Sequence, residues 1–276
     1  MPELPEVEVS RLGLLPHLEG QAILRAVFRV AALRWPVAAG LAERLAGRRV
    51  RGIGRRGKYL VFDCADAQGR GGALIVHLGM SGSLRLVANG TPPEKHDHAD
   101  IVFRRATLRL RDPRRFGALL WHEGEDFENH PALAGLGIEP LSPEFGGDWL
   151  YAATRGARTP IKPWLMDARR IVGIGNIYAA EALFAAGINP VRIAGRLGRE
   201  RCRRLAEAIR STLQAAIAAG GSSVRDYVHS DGGAGSFQLM CAVYGRAHAP
   251  CPACGAPIRV VRQGGRSTFY CPGCQR

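Results

Sequence analysis

Four cysteines near the carboxyl-terminal end constrain the fold of this chain more than any other feature. They form two C-x-x-C pairs, Cys251 with Cys254 and Cys271 with Cys274, separated by sixteen residues. Because each pair turns two thiolates towards one point, this spacing is typical of a tetrahedral zinc site. Two disulfides are the alternative, which a reducing cytoplasm disfavours. We predict one structural Zn²⁺, since four thiolate ligands leave no position for a catalytic water.

Short apolar runs fill the first half of the 276-residue chain, and a sequence pattern typical of helices follows. From residue 21 to 122 several runs alternate at period two between Gly, Pro and Asn-Gly turns, which predicts an antiparallel β-sandwich or barrel. We predict a helix at 5–19 before these strands and further helices between 148 and 219. The predicted fold class is therefore α+β. The predicted domains are 1–134, a linker at 135–147, a helical domain at 148–235 and the cysteine-bearing element at 236–276.

A strong excess of positive charge indicates an anionic partner. The chain carries 38 Lys and Arg against 24 Asp and Glu, a formal net charge of +14. Nucleic acid fits this excess better than a membrane, because the sequence has no strongly amphipathic cationic anchor. A merely solvated basic surface is the alternative, since Arg far outnumbers Lys. No apolar run reaches the roughly 18 residues of a membrane span, and the N-terminus is acidic where a signal peptide would be basic, so we expect a cytoplasmic protein. We also expect a monomer, since no surplus amphipathic surface indicates a dimer.

Pro2 becomes a secondary amine at the amino terminus once Met1 is removed, and a proline in second place favours that removal. An α-amino group titrates near pH ~8, so part of it is a free nucleophile at neutral pH. Such an amine can form an iminium with a sugar carbon. Glu3 and Glu6 are placed to move protons or to stabilise a cation. The alternative, favoured on this stretch alone, is an ordinary helix start with Pro and Glu in its first turn.

Three segments of the strand-rich region place basic or apolar side chains on turns. Lys58 follows a glycine in RRGKYL, which suits phosphate binding. Met80 stands at the tip of HLGMSG, and Arg114 and Phe116 share the turn DPRRFG. Apolar side chains can fill a DNA stack that has lost a base, and Arg can bind base edges or phosphates. For each segment, a solvated loop or ordinary packing is the alternative.

Two further segments suit phosphate binding in the second half of the chain. Asn176, in a helix–turn–helix pattern that begins near Lys162, is predicted to be a helix N-cap, where free N–H groups attract a phosphate. Arg266 lies among arginines and aromatic residues between the cysteine pairs, a composition that suits a DNA groove. A plain helix cap and a zinc ribbon with a solvated basic face are the alternatives.

The motifs also occur in a characteristic order. They are PELPEVE, GRRGKYL, HLGMSGSL, KHDHADIVF, DPRRFG, IKPWLMD, VGIGNIYAAEALF, SDGGAGSF and the closing cysteine pairs. In this order the chain resembles bacterial formamidopyrimidine-DNA glycosylases from end to end. The resemblance implies a helix-two-turn-helix domain and a zinc finger behind the β-sandwich. It implies base-excision repair on the nucleoid: removal of 8-oxoguanine and formamidopyrimidine from duplex DNA by a glycosylase that is also an abasic-site lyase.

The resemblance assigns a role to each candidate residue. Pro2 corresponds to the nucleophile that attacks C1′ of the damaged nucleotide, and Glu3 to the acid that assists ring opening before β- and δ-elimination. Lys58 corresponds to a lysine at the phosphate beside the lesion and is counted with the catalytic group. Arg225 falls in a loop, 220–235, that corresponds to a lid over the extruded base. The residues with implied DNA contacts are Met80, Arg114, Phe116, Lys162, Asn176, Arg225 and Arg266.

Three alternatives stand against this interpretation. The endonuclease VIII branch shares the scaffold and prefers oxidised pyrimidines, but the PELPEVE, HLGMSG and DPRRFG segments favour the purine branch. A catalytically inert zinc-ribbon DNA-binding protein would keep Lys162, Asn176 and the cysteines without needing Pro2 and Glu3. A purely structural basic protein leaves the order of the motifs unexplained.

Overall fold

A computed structural model describes residues 2–222 and 236–276 of the chain. The chain divides into two compact units, described here one at a time: Met1–Ala134 with Ala219–Ser236, and Gly135–Ala218 with Phe237–Arg276. Antiparallel sheets form most of the first unit, and helices with a two-stranded hairpin form the second, which confirms the predicted α+β class. The predicted domain boundaries stay a prediction. Arg225, with most of the loop predicted as a lid, lies outside the described residues.

The described residues of the first unit form two α-helices and eight strands. The helices are α1 (Leu4–Leu18) and α2 (Leu41–Leu45), and the strands are β1 (Ile23–Phe28), β2 (Arg49–Arg56), β3 (Tyr59–Ala65), β4 (Gly71–His77), β5 (Ser83–Val87), β6 (Asp97–Phe103), β7 (Thr107–Arg111) and β8 (Ala118–Glu123). One sheet has the order β1-β6-β7-β5 and the other β2-β3-β4-β8. Every neighbouring pair is antiparallel.

Alternating side chains join the two sheets in one hydrophobic core. Leu108 and Leu110 of β7 belong to the same buried cluster as Phe62 of β3 and Leu74 of β4. Leu14 of α1 packs into this cluster as well. Because side chains from both sheets share one core, the arrangement is the predicted β-sandwich.

Two elements of the first unit differ from the sequence prediction. The pattern of residues 49–56 predicts no strand, because Gly52, Gly54 and four arginines have a low strand propensity. β2 forms there because its backbone pairs with β3 from Arg49 to Arg56, apart from a register shift between Val50 and Gly52, so tertiary pairing overrides local preference. The short helix α2 is likewise unmarked in the sequence, and α1 begins at Leu4, one residue before its predicted start.

The second unit is built from four helices and a hairpin among its described residues. They are α3 (Gly147–Thr154), α4 (Ile161–Leu165), α5 (Asn176–Ala185), α6 (Arg199–Ala218), β9 (Arg259–Gln263) and β10 (Arg266–Tyr270). α6 packs against both α3 and α5, and the hairpin packs against α5 through a cluster that includes Ala180, Val243 and Ile258. None of the helices in the described part of the chain combines the length and the apolar character that crossing a membrane requires.

Residues 135–147 are packed within the second unit. The Arg210 guanidinium of α6 donates hydrogen bonds to the carbonyls of Leu141, Ser142 and Phe145, at 3.3, 3.1 and 2.5 Å. The Phe145 side chain is 1% exposed. One arginine therefore fixes the carbonyl groups of a stretch that has no regular secondary structure of its own.

Candidate nucleic-acid interface

Pro2 and Glu3, the predicted nucleophile and acid, are both buried at the start of α1. Glu3 is 1% exposed and forms a capping box with Glu6, in which each side chain accepts a hydrogen bond from the other residue's backbone N–H. The distance from the Glu3 nitrogen to Glu6 Oε2 is 2.7 Å. Glu6 Oε1 also accepts the backbone N–H of Ser222 at 2.7 Å. The capping box therefore fixes the Glu3 side chain beside Pro2.

Lys58 lies in the two-residue turn between β2 and β3, where the sequence places it. Gly57 before it has a φ of 57°, a left-handed conformation that glycine adopts without strain. The next residue, Tyr59, pairs with His77 across the sheet, and the centroids of the two rings are 4.7 Å apart. The turn thus brings the Lys58 ammonium into the electrostatic environment of His77.

His77 is kept neutral at physiological pH. Burial lowers the pKa of its imidazole to about 4, and the positive charges of Lys58 and Arg34 act in the same direction. Its Nδ1 accepts the backbone N–H of Gly79 at 3.0 Å, so Nε2 carries the proton of the neutral ring. His77 therefore offers a hydrogen-bond donor rather than a charge. The sequence favours a purely structural histidine here, because nothing in its local pattern reveals the nearby cations.

Two turns of the first unit carry Met80, Arg114 and Phe116, which are predicted to fill an emptied base stack. Met80 is 39% exposed and Phe116 is 44% exposed. The Arg114 guanidinium carbon lies 4.8 Å from the centroid of the Phe116 ring, a cation–π contact. A cavity of about 430 Å³ lies beside them, and it is lined by Arg34, His77, Gly79, Met80 and Phe116. The arrangement presents apolar surface and one cation side by side.

The two turns approach each other because of unusual backbone conformations. Gly79 has a φ of 65°, and a Cβ atom there would lie 2.4 Å from the carbonyl carbon of Phe116. Arg115 has a φ of 55°, which is costly for a residue other than glycine and is typical of functional sites.

Arg34 donates its backbone N–H to the carbonyl of Gly117 at 2.9 Å. Sequence reasoning missed Arg34, since it lies in an irregular loop far along the chain from these turns.

Lys162, Asn176 and Arg266, the predicted phosphate contacts, meet in the second unit. Lys162 is 1% exposed, and its Nζ donates to Asn176 Oδ1 at 2.6 Å, to Thr268 Oγ1 at 2.8 Å and to the Ser267 carbonyl at 3.1 Å. Asn176 Nδ2 donates to the same carbonyl at 3.2 Å. Arg266 is exposed and lines, together with Lys162, a cavity of about 120 Å³. A buried ammonium therefore joins the start of α5 to the hairpin.

The predicted N-cap role of Asn176 is wrong. Gly175 is the N-cap of α5, and Asn176 is the first residue of the helix. The Asn176 carboxamide instead accepts a hydrogen bond from Lys162 and donates one to Ser267. A hydrogen bond from a charged donor is about twice as strong as one between neutral groups, so the ammonium outcompetes the cap position.

The four cysteines converge at the base of the β9–β10 hairpin. Their Sγ atoms all lie within 4.8 Å of one another, with 3.8 Å between Cys251 and Cys274 and 3.4 Å between Cys254 and Cys271. Four Zn–S bonds of ~2.3 Å in a tetrahedron separate the sulfur atoms by about 3.8 Å, whereas a disulfide requires ~2.05 Å. The geometry fits one structural Zn²⁺ and does not fit two disulfides.

Family models match three parts of the chain. The formamidopyrimidine-DNA glycosylase N-terminal domain matches residues 1–119, and the H2TH domain of the same glycosylase matches 136–228. A zinc finger found in FPG and IleRS matches 250–276. The three matches cover the β-sandwich, the helical region and the cysteine hairpin.

Relatives and solved structures match along the whole length. The chain is 55% identical to the formamidopyrimidine-DNA glycosylase of Ralstonia nicotianae and 56% identical to that of Dechloromonas aromatica, with 100% of each chain covered. The MutM (Fpg) protein of Thermus thermophilus is 40% identical, with a TM-score of 0.87 over 99% of this chain and 98% of that one. A Lactococcus lactis Fpg mutant, solved with a Fapy-dG containing DNA, is 34% identical, with a TM-score of 0.90 and 100% of both chains covered.

Proposed function

The chain belongs to the formamidopyrimidine-DNA glycosylase family, and we propose that it excises 8-oxoguanine and formamidopyrimidine from duplex DNA and then cleaves the abasic site through Pro2. The observation that carries this proposal is the start of α1, where a capping box fixes the buried Glu3 beside Pro2. Lactococcus lactis Fpg was solved with abasic-site DNA, and a mutant of it with Fapy-dG containing DNA, which supports these substrates.

Pro2 reacts as a secondary amine after removal of Met1. Its nitrogen forms a bond to C1′ and loses its proton, while the bond from C1′ to the damaged base breaks. The base leaves with the bonding electrons and takes up a proton. Glu3 then protonates the ring oxygen as the C1′–O4′ bond opens, which leaves an iminium between Pro2 and C1′.

Two eliminations follow from this iminium, because it acidifies the neighbouring sugar protons. Loss of a C2′ proton expels the 3′ phosphate, and loss of a C4′ proton expels the 5′ phosphate. Water then hydrolyses the remaining iminium and restores the free proline amine. The DNA is left with a one-nucleotide gap between two phosphate ends. Lys58, at the turn before β3, is placed to bind the phosphate beside the lesion.

The damaged nucleotide has to leave the base stack before Pro2 can reach it, and unstacking costs a few kcal/mol. Met80 and Phe116 supply exposed apolar side chains that fill the vacated space. Arg114, whose guanidinium lies against the Phe116 ring, donates hydrogen bonds to the orphaned cytosine. These contacts repay part of the cost of extrusion.

The second unit holds the DNA backbone. Asn176 and Arg266 bind phosphates on either side of the lesion. Lys162 acts through Asn176, because its buried ammonium already donates to three oxygen atoms of the unit. The zinc supplies no chemistry to the reaction: when bound, it holds the hairpin that carries Arg266. Arg225 is proposed as a further DNA contact on the family resemblance alone.

The cellular site follows from the substrate. Relatives at about 55% identity from Ralstonia nicotianae and Dechloromonas aromatica are formamidopyrimidine-DNA glycosylases, and the substrate proposed here is duplex DNA. We therefore propose that the protein works in the cytoplasm in association with the nucleoid.

Borohydride trapping tests the proposed function. Purified protein is mixed with a duplex containing 8-oxoguanine opposite cytosine, and sodium borohydride is added to reduce the iminium to a stable amine. A covalent protein–DNA adduct is expected, and it should be lost in Pro2→Gly and in a form that retains Met1. Absence of an adduct with the wild-type protein contradicts the proposal. A duplex with an oxidised pyrimidine forms the second arm, since one Lactococcus lactis relative was solved with such DNA.

A further inference from the structure

We propose that Asp112 is a positioning residue for excision: its buried carboxylate fixes the two turns that carry Met80, Arg114 and Phe116. The first wedge turn is residues 78–82, and the second wedge turn is residues 112–117. The inference rests on the proposed function, because it assumes that these three side chains fill the emptied base stack. Asp112 itself is 0% exposed, so its proposed role is to position these side chains rather than to touch a base.

The Asp112 carboxylate joins the two wedge turns directly. Asp112 is 0% exposed, and its Oδ1 accepts the hydroxyl of Ser81, in the first wedge turn, at 2.8 Å. Its Oδ2 accepts the backbone N–H of Gly117, at the end of the second wedge turn, at 2.8 Å. The backbone N–H of Arg114 lies 3.3 Å from Oδ1 and 3.2 Å from the Ser81 hydroxyl oxygen. One side chain therefore sets the distance between the turns and the path of the chain from Arg114 to Phe116.

The backbone of Asp112 is held by the sheet rather than by the turns. Its carbonyl oxygen is 2.9 Å from Nε2 of His98, a buried residue of β6, and it also accepts the N–H of Arg115 at 3.2 Å. Its own N–H donates to the carbonyl of His96 at 3.0 Å. These bonds connect the carboxylate to the rigid core of the sandwich. The wedge turns thus take their position from β6, although neither turn belongs to it.

The carboxylate is held by dipoles rather than by a cation. Among residues 2–222 and 236–276, no Lys or Arg forms a salt bridge with Asp112, and its hydrogen-bond donors are one hydroxyl and backbone N–H groups. A buried acid of this kind is tolerated only while every donor stays in place. Both oxygens act as acceptors, and an asparagine offers only one. Asp112→Asn therefore leaves at least one buried donor facing another donor, and the turn has to shift.

Such a shift should affect extrusion of the base more than the chemistry at C1′. A displacement of about 1 Å in a positioning group can cost about 100-fold in rate. Excision of 8-oxoguanine needs the wedge, because an intact base has to be unstacked and its place filled. A preformed abasic site carries no base to unstack, so iminium formation there depends much less on Met80 and Phe116.

The test compares these two substrates in single-turnover experiments. The variants are Asp112→Asn and Ser81→Ala, and the matched control is Asp126→Asn, an exposed aspartate of the same unit. For excision of 8-oxoguanine opposite cytosine we expect a loss of about 10- to 100-fold in Asp112→Asn and a smaller loss in Ser81→Ala. Borohydride trapping on an abasic-site duplex should stay within about twofold of wild type. The rate ratio for 8-oxoguanine opposite cytosine against adenine should also fall, because Arg114 is displaced.

Each outcome is decisive. Selective loss on the 8-oxoguanine duplex, with the control unchanged, supports the proposal. Equal loss on both substrates, or wild-type rates in both variants, contradicts it. If Asp112→Asn does not fold, Ser81→Ala decides by the same criterion, because it removes only the hydroxyl that links the two turns. Failure of the proposed function is distinguishable, since the wild-type protein would then form no adduct on either duplex.

Discussion

The two units bury charge in opposite ways. In the first unit, the carboxylates of Glu3, at the start of α1, and Asp112, at the turn after β7, are buried and accept hydrogen bonds from backbone N–H groups. In the second unit, the ammonium of Lys162 is buried and donates to three oxygen atoms, two of them from the hairpin that the cysteines close. The acids of the first unit thus depend on α1 and on the sheets, whereas the cation of the second unit depends on a metal-held hairpin. A substitution in one unit should therefore lower the rate of excision without lowering the affinity for DNA, and a change in the other unit should lower the affinity.

The largest expected effect is on chemistry alone. Glu3→Gln removes the acid beside Pro2 and should lower excision of 8-oxoguanine by about 1,000-fold, within the range for a lost general acid. Affinity for the duplex should be unchanged, because the substitution leaves the proposed phosphate contacts, Lys58 in the first unit and Asn176 and Arg266 in the second, in place. Single-turnover excision and fluorescence anisotropy measure the two quantities, with the exposed Glu43→Gln as control. A parallel fall in affinity would contradict the assignment of catalysis and DNA binding to different units.

Removal of zinc should lower the affinity of the second unit for DNA, whereas Glu3→Gln lowers the rate of excision. A chelator that removes the zinc from the four thiolates should unfold the hairpin, since metal binding supplies the folding free energy of the hairpin. Duplex affinity is then expected to fall by about 100-fold as the contacts of Arg266 are lost.

Metal analysis of fresh protein should give about one zinc per chain. Cys241→Ala, outside the cluster, is the control. If metal-free protein binds DNA as tightly as the native form, the zinc-held hairpin does not contribute to the affinity for DNA.

Lys162→Met tests the buried cation. Methionine fills most of the space but leaves the oxygens of Asn176, Ser267 and Thr268 without their shared donor. Removing one member of a buried charged network should lower the free energy of unfolding by about 3 kcal/mol. Urea denaturation measures this loss, and Lys95→Met, at an exposed site, is the control. An unchanged free energy of unfolding would mean that the cation does not hold α5 to the hairpin.

The last effect is expected from His77 in the first unit, and it is confined to acidic pH. The pKa of its imidazole is lowered from 6.5 to about 4 in the folded protein, so the unfolded chain binds a proton first as the pH falls. The stabilisation is complete above pH 6.5 and is lost between 6.5 and about 4, by about 3 kcal/mol. In urea denaturation at several pH values, His77→Gln should show a shallower loss over this window than wild type. Equal slopes would show that the ring is not buried as a neutral group.

Local patterns in the sequence predict those parts of the molecule that depend on short stretches of chain. Alternation in β7 and the C-x-x-C turns are examples, because the geometry of a strand or a two-cysteine turn is set within five residues. The motifs also place Pro2 with Glu3, and Arg114 with Phe116, since each pair lies within three residues. For these features, sequence and structure agree.

Contacts between distant residues could not be predicted in this way. Ser81 and Asp112 are 31 residues apart, and Lys162 and Thr268 are 106 residues apart. Serine and aspartate are common in turns for local reasons, so their sequence context does not reveal a shared hydrogen bond. The same applies to β2, whose composition disfavours a strand until β3 offers it a partner.

Identification of the residue that carries the trapped sugar tests the central claim most directly. The borohydride-reduced adduct is digested with nuclease and protease, and the modified peptide is sequenced by mass spectrometry. We predict that the sugar remnant is attached to the nitrogen of Pro2, in a peptide that begins at Pro2 without Met1. A remnant on Lys58 or on any other lysine, with Pro2 unmodified, would contradict the account.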